Sequence, residues 1–346
     1  MKQLLIFILL SSCSSFNGSV YLGLKSEHFD GKRFINENSQ EEPSGWSLFK
    51  WLFNRDRGFW NDFTNAPPGP KPKLFADDGE IIATFINHST VLLQTDSINI
   101  LTDPVYSDRV TPISFIGPLR HRPPGIKFED LPKIDIVIIS HNHYDHLDLP
   151  TLKRLRERFD PLIVAPLGNK KFLNSQGFEK VVELDWNQDI MIKDKTKLTF
   201  VQGRHFSGRG LSDRNRTLWG GYILSSIAGP IYFAGDTGFG SHFDKIYKQF
   251  GEIAFSMLPI GAYRPRWFMK SVHMNPDDAV KAHIALHSKL SMGIHFGTFA
   301  QADDGEFEPI KDLQIALKKN HINENEFFVP EHGKRNEIVL DKVVIK

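Results

Sequence analysis

The chain has a single cysteine among its 346 residues, Cys13. No disulfide can close within it, and no cluster of thiolates can hold a metal. It also lacks an excess of either charge, with 42 Lys and Arg against 41 Asp and Glu and a formal net charge of +1. No basic face is implied, so nucleic acid is not an expected partner. There is no apolar run approaching the about 20 residues that a membrane-spanning helix needs. Nor is an internal repeat visible in the sequence. What remains is ordinary globular composition, at a length that fits one large α/β domain or two smaller ones.

The amino terminus departs from that composition. Lys2 precedes an apolar run over residues 4–10, followed by Leu10-Ser-Ser-Cys13. A positive start, a short apolar core and small residues before a cut describe an export signal. This one resembles a bacterial lipoprotein signal, with residues 1–12 removed and Cys13 lipidated. By the sorting rule for such proteins, Ser14 after the cysteine would favour the outer membrane. The expectation is a protein of the bacterial cell envelope, lipid-anchored at the outer membrane. Residues 14–40 are polar and pattern-poor and read as a tether. Residues 13–74 thus form a tether and an N-terminal aromatic segment ahead of a main domain at 75–346. Within that segment, half of the six tryptophans lie between Trp46 and Trp60, mixed with Lys50, Arg55 and Arg57. Two readings stay open: a helix lying on a lipid surface, or a helix packed on the domain, which is preferred. Pro67, Pro68, Pro70 and Pro72 then end any helix.

The densest chemistry falls in residues 133–148. Residues 134–139 are an almost unbroken β-branched run, which predicts a strand buried on both faces. His141, His143, Asp145 and His146 follow at once. Asp148 as a cap, Pro150 in a first turn and the stripe Leu152, Leu155, Phe159 then predict a helix. The cluster therefore lies on a strand-to-helix loop at the strand's carboxyl end, where open α/β sheets place their chemistry. Imidazole nitrogen and carboxylate oxygen are good donors to Zn2+ and similar divalent ions. The alternation His141-Asn142-His143 can turn both rings toward one ion, leaving Asp145 and His146 for a neighbouring one.

Elsewhere, residues 81–94 and 98–101 read as paired strands turning at Thr95-Asp96-Ser97. Strands are also predicted at 162–165, 181–184, 198–202, 231–234, 254–260 and 290–294, and three of them deliver His205, Asp236 and His295. Asn275-Pro-Asp-Asp278 predicts a capped helix start. His88 either faces the site or is a hydrogen-bonded structural histidine. Arg120-His-Arg-Pro-Pro124 reads as a solvated rim.

His141-Asn142-His143-Tyr144-Asp145-His146 matches the HxHxDH motif of the metallo-β-lactamase superfamily. Phe233-Ala-Gly-Asp-Thr-Gly238, residues 258–269 (Leu-Pro-Ile-Gly-Ala-Tyr-Arg-Pro-Arg-Trp-Phe-Met), His273-Met-Asn-Pro276 and Gly293-Ile-His-Phe-Gly-Thr-Phe299 resemble one branch of it. That branch comprises the N-acylphosphatidylethanolamine-hydrolysing phospholipases D and their bacterial outer-membrane relatives. The resemblance spans residues 75–335. It implies an α/β fold, the four-layer αββα sandwich, with two similar halves. It further implies that His141, His143 and His205 hold one zinc, that Asp145, His146 and His295 hold a second, and that Asp236 bridges them. Mn2+ or Fe2+ are the alternative metals. Asp103 matches an aspartate that supports the ligands from behind, a plain turn residue being the other reading. His273 and His332 match family positions and join Asp145 as catalytic candidates. Arg264, Arg266 and Tyr144 are candidates for binding substrate. For His273, His332, Arg264 and Arg266, core or surface roles stay open.

Two ions about 3.5–4 Å apart lower the pKa of a shared water from near 16 to about 7. The resemblance therefore implies a zinc-dependent phosphodiesterase of phospholipase D type, with a metal-bridging hydroxide attacking phosphorus. The substrate would be an N-acylated phosphatidylethanolamine, giving phosphatidic acid and an N-acylethanolamine. Its phosphatidyl group needs apolar surface, and Trp267, Phe268 and Met269 either line such a surface or belong to the core. Other readings use the same residues: a hydrolase of a lactone, thioester or cyclic phosphodiester, or a metal-binding envelope lipoprotein without turnover. A nuclease is disfavoured by the absent basic stripe. The expected partners are the phospholipid and the membrane, with oligomeric state left unknown.

Overall fold

The structure, a computed structural model, describes residues 20–37, 45–112, 115–193, 196–210 and 212–338. The expected signal at 1–12 and the lipidation residue Cys13 lie outside the described residues.

The apolar strands assemble into two seven-stranded mixed sheets. The first contains β1 (Ile81–Asn87), β2 (Thr90–Thr95), β3 (Ile98–Thr102), β4 (Ile136–Ile138), β5 (Leu162–Pro166) and β6 (Val181–Leu184). The second contains β7 (Asp189–Lys193), β8 (Thr196–Gln202), β9 (Gly220–Ser226), β10 (Gly229–Phe233), β11 (Phe255–Pro259), β12 (Leu290–Ile294) and β13 (Phe327–Phe328). The C-terminal β14 (Arg335–Ile338) returns to pair with β1, so the first sheet runs β14-β1-β2-β3-β4-β5-β6. The second runs β7 to β13 in order. In each sheet three antiparallel pairings are followed by three parallel ones. The two halves of the chain thus share one topology, with β1–β6 corresponding to β8–β13.

Parallel pairings need long crossovers, and helices supply them. α1 (Gly45–Phe53) precedes the sheets, and α2 (Leu149–Phe159) and α3 (Lys170–Ser175) follow β4 and β5. α4 (His242–Phe250), α5 (Arg266–Met269), α6 (Pro276–Ala285) and α7 (Glu308–Asn320) serve the second half. Side chains alternate across each strand. In the first sheet Phe85, Val91, Leu93, Ile136, Ile138 and Val164 join the core shared with the second sheet. Their neighbours Ile86, Leu92, Val137, Ile139 and Ile163 face the other way, under Leu152 and Leu155 of α2. Phe243 of α4, Ala279 of α6 and Leu313 of α7 cover the second sheet. This is the expected αββα sandwich.

Three local expectations change. Residues 81–94 are not one strand: the chain reverses at His88-Ser89, and His88 takes φ 46° at the turn. Asp148 stands at the N-cap of α2, but its carboxylate accepts from the Ser107 amide at 3.1 Å and hydroxyl at 2.8 Å instead of capping. The expected tether is docked where it is described. Phe29 and Phe34 are buried in the main core, and the Phe34 amide donates to the Asn215 carbonyl at 2.7 Å. Two aromatics five residues apart bury enough apolar surface to override a polar composition. On α1, Trp51 packs inward, its ring 5.0 Å from Phe268 and its indole N–H donating to Asp303 at 2.8 Å. Trp46 and Phe53 point outward, each 73% exposed, with Phe49 half exposed between them. Each of the two open readings of this segment thus has a face of the helix. No helix among the described residues is long and apolar enough to cross a membrane.

Candidate metal centre

The donors come from strand ends at one edge of the sandwich. His141 follows β4, His205 follows β8, Asp236 follows β10 and His295 follows β12. They converge with His143, Asp145 and His146. His141 Nε2 lies 2.7 Å from His143 Nδ1, which lies 3.3 Å from His205 Nε2. Beside this trio, His146 Nε2 is 3.2 Å from Asp145 Oδ2, and His295 Nε2 is 3.7 Å from the same oxygen. Asp236 Oδ2 stands between the two groups, 3.0 Å from His295, 3.2 Å from His146 and 3.8 Å from His205.

The far side of each ring is held. Asp103 accepts from the Ser140 amide at 2.7 Å through Oδ1. Its Oδ2 meets the Ser140 hydroxyl at 2.6 Å and His146 Nδ1 at 2.7 Å, which turns His146 Nε2 toward the cluster. His141 Nδ1 meets Ser140 Oγ at 2.9 Å, and His205 Nδ1 meets the Val272 carbonyl at 2.9 Å. The docked N-terminal segment adds Asn36, whose amide donates to the His205 carbonyl at 2.9 Å. Close approach demands glycine at Gly235, where φ is 59° and an added Cβ would collide with Ser140. Asp103 and His295 also hold positive φ, 34° and 60°. Such conformations persist only where the surroundings enforce them, and they gather at functional sites.

Burial lowers the pKa of His141, His143 and His205, with His143 reaching about 4. All three are neutral imidazoles with lone pairs to offer. Burial alone would raise Asp145 and Asp236, yet the adjacent His146 holds both far below the usual carboxylate range. Burial alone would lower His295, but Asp236 and Asp145 hold it up to about 9. His146 Nε2, His295 Nε2 and Asp236 Oδ1 are nonetheless buried without a hydrogen bond of proper geometry. Orphaned buried donors and acceptors are costly. His141 Nε2 and His143 Nδ1, 2.7 Å apart, are close enough to share one proton or to turn both lone pairs to one ion. Ligands about 2.0–2.1 Å from a tetrahedral ion stand about 3.3 Å apart, close to the spacings here. The donor set fits a pair of divalent ions.

The remaining candidates divide. His273 reaches the edge of the cluster, its Nδ1 3.9 Å from Asp236 Oδ2 and without a hydrogen bond, and burial lowers its pKa to about 4. His332 does not come to the cluster; its ring packs 4.7 Å from Phe85, against Phe296. Arg264 pairs with Glu308 at 2.8 Å. Arg266 pairs with Asp278 at 2.6 Å and donates to the His273 carbonyl at 2.9 Å. Neither arginine is a free cation at the site. The Tyr144 hydroxyl donates to the Arg209 carbonyl at 2.9 Å, and the Arg209 guanidinium lies over its ring. Arg209 is itself a residue that sequence reasoning missed. Buried, it donates to the carbonyls of Asn142 and Leu147 at 2.8 and 2.9 Å and so ties down the histidine loop. Nothing in the Gly208-Arg-Gly210 stretch signals this. His88 is settled as facing the cluster: its Nε2 lies 2.9 Å from Asp145 Oδ2, and burial and His295 lower its pKa to about 3.

The chain matches the Beta-lactamase superfamily domain over residues 98–296, more than half its length. It is 42% identical over 236 residues to N-acyl-phosphatidylethanolamine-hydrolyzing phospholipase D 1 of Caenorhabditis elegans. That match covers 65% of this chain and 66%, just under two thirds, of the nematode protein. Over 108 residues it is 36% identical to Outer membrane protein RomA of Klebsiella pneumoniae, covering 31% of this chain and 80% of that one. The isothiocyanate hydrolase from Delia radicum gut bacteria superposes with a TM-score of 0.59 at 20% identity, over 73% of this chain and 98% of that one. At that identity the likeness speaks for the fold alone.

Proposed function

The chain belongs to the β-lactamase superfamily and has the fold of its metal-dependent hydrolases, and from that premise we propose that it is a phosphodiesterase of phospholipase D type. Its substrate is an N-acylated phosphatidylethanolamine, cleaved to phosphatidic acid and an N-acylethanolamine. The observation that carries the reading is the meeting of seven imidazole and carboxylate donors at one sheet edge, in a chain 42% identical to a relative named for that reaction.

In this reading His141, His143 and His205 would hold one ion and Asp145, His146 and His295 the other, with Asp236 available to both. Zinc suits histidine and carboxylate ligands without thiolate, Mn2+ or Fe2+ being the alternatives. Such a pair, when bound, activates water and neutralises charge on phosphoryl oxygens. The chain's own residues do the rest. Asp103, Ser140 and the Val272 carbonyl fix the ring tautomers, so no reorganisation is needed during turnover. Phe206, its ring 4.5 Å from His143, supplies an apolar wall. His273, outside the seven and with an unpartnered Nδ1 at the edge of the cluster, would hydrogen-bond the departing oxygen. Arg266 acts through it by holding its carbonyl.

The membrane is the proposed partner, and the envelope, by lipid anchoring at the outer membrane, the proposed location. Two observations support this. α1, which exposes Trp46, Phe49 and Phe53 on its outer side, rests through its inward Trp51 on Phe268 of α5, and α5 leads into His273 within one turn. A relative carries the outer membrane in its name.

Metal analysis of the purified chain, joined to a hydrolysis panel, tests the reading. Release of phosphatidic acid and N-acylethanolamine, lost on chelation and restored by metal, is expected. Cleavage of a lactone, thioester or cyclic phosphodiester instead would replace it. Tight metal binding with no turnover would leave a metal-binding protein.

A further inference from the structure

The shared topology of the halves pairs positions as well as strands. The β1–β2 turn corresponds to the β8–β9 connection, and the end of β3 to the end of β10. In the second half those two places carry His205 and Asp236, both in the donor cluster. In the first half they carry His88 and Asp103. This first-half pair borders the cluster: Asp103 lies 2.7 Å from His146 Nδ1 on the far side of that ring, and His88 Nε2 lies 2.9 Å from Asp145 Oδ2, the oxygen that also faces His146 and His295. A histidine and an aspartate thus recur at matched places, once among the seven donors and once hydrogen-bonded to the adjacent donors Asp145 and His146.

We propose that His88 is a positioning residue for Asp145, its Nε2–H fixing the carboxylate in the rotamer that faces His146 and His295, as Asp103 fixes His146. The backbone is built to hold it there. His88 is 2% exposed and sits at φ 46°, a conformation a non-glycine residue adopts at a cost. Its amide donates to Thr298 Oγ1 at 2.9 Å, and its carbonyl accepts from the His295 amide at 2.7 Å. Its ring lies 4.0 Å from that of His295 and edge-on to Phe299. The turn is therefore locked from both sides with the imidazole aimed at Asp145. A histidine needed only to fill space would not require a left-handed backbone to reach a carboxylate.

The inference rests on the two-ion reading, and the experiment separates the two. Metal content is measured against a graded chelator for the wild type, His88→Ala and His88→Gln, together with the absorption spectrum of the Co2+-loaded forms. Partners behind a metal ligand are worth about 10–100-fold in affinity. His88→Ala is expected to lose one of two ions at about 10–100-fold lower chelator, with its Co2+ spectrum altered. His88→Gln, which keeps a donor near the Nε2 position, is expected to retain both ions. A wild type that takes up fewer than two ions overturns both readings. A wild type with two ions and a His88→Ala variant equal to it overturns the positioning role alone. So does a folded His88→Gln variant that loses the ion as completely as His88→Ala, which would make the imidazole itself a ligand. If His88→Ala does not fold, His88→Gln decides; if neither folds, the residue is structural and the proposal falls.

Discussion

Asp103 divides its two oxygens between backbone and ring, taking the Ser140 amide with one and His146 with the other. Removing it should do two separate things. Asp103→Ala leaves the buried Ser140 amide unpaired, at a cost of about 1–3 kcal/mol in stability, and frees His146, at about 10–100-fold in metal affinity. Chemical denaturation of the metal-free protein reads the first, and chelator competition reads the second. A sharper disruption is expected at Gly235→Ala. There both the left-handed backbone and the contact with Ser140 forbid a side chain, so Asp236 must move. Metal binding should fall by more than with Asp103→Ala, and a crystal structure would show the β10 end displaced. At this scale the sequence spoke clearly where donors sit in one short run, as in residues 141–146. It could not show that Arg264 and Arg266 are ion-paired, since their partners Glu308 and Asp278 lie 44 and 12 residues further on. It was silent on Arg209, because a buried cation tied to carbonyls leaves no spacing to read.

Among the elements, α1 has two characters. Trp51 and the Arg55–Asp303 ion pair fasten one side to the domain. Trp46, Phe49 and Phe53 stack along the other, with ring centroids 5.6 and 4.4 Å apart. Aromatic rings on an exposed stripe suit the polar–apolar boundary of a bilayer. The triple change Trp46→Ser, Phe49→Ser, Phe53→Ser should leave the melting temperature nearly unchanged. It should lower co-sedimentation with phospholipid vesicles by about tenfold or more, at about 25 cal/mol per Å2 of apolar area withheld. The helix itself was foreseeable from its aromatics. Its two-sidedness was not, since Asp303 is 252 residues away from the tryptophan it holds. The β1–β2 turn was missed because Asn87-His-Ser-Thr90 lies between two apolar runs with no glycine or proline to mark a reversal. By contrast α6 begins where its sequence says: Asn275 accepts from the Asp278 amide at 2.9 Å and completes a capping box. Asn275→Ala is expected to cost about 1 kcal/mol, measurable by urea denaturation.

The whole molecule carries an acid sensitivity apart from the cluster. Burial lowers His242 to about 3 and His283 to about 4. In the unfolded chain both titrate near 6.5, so the folded state binds fewer protons below that pH. Their contribution is complete above pH 6.5 and is lost as the pH falls from there toward 4, by up to about 1.4 kcal/mol per unit for each. Urea midpoints taken from pH 7 to pH 5 should fall accordingly. His242→Gln should flatten that slope relative to its own stability at pH 7.

Most strand positions were legible from short apolar runs and the turns between them, and the four-layer sandwich from the family resemblance. The duplication of the halves was implied by the resemblance alone, because it resides in strand order rather than in repeated residues. That duplication has a consequence for how the centre comes into being. Four of the seven donors emerge early, on the loop after β4, while His205, Asp236 and His295 follow on later strands. A nascent chain halted after β6 would present three histidines and an aspartate with nothing to complete the cage. Loading must therefore wait until synthesis has passed residue 295 and the sheets have closed, so the ions acquired are those of the place where folding finishes.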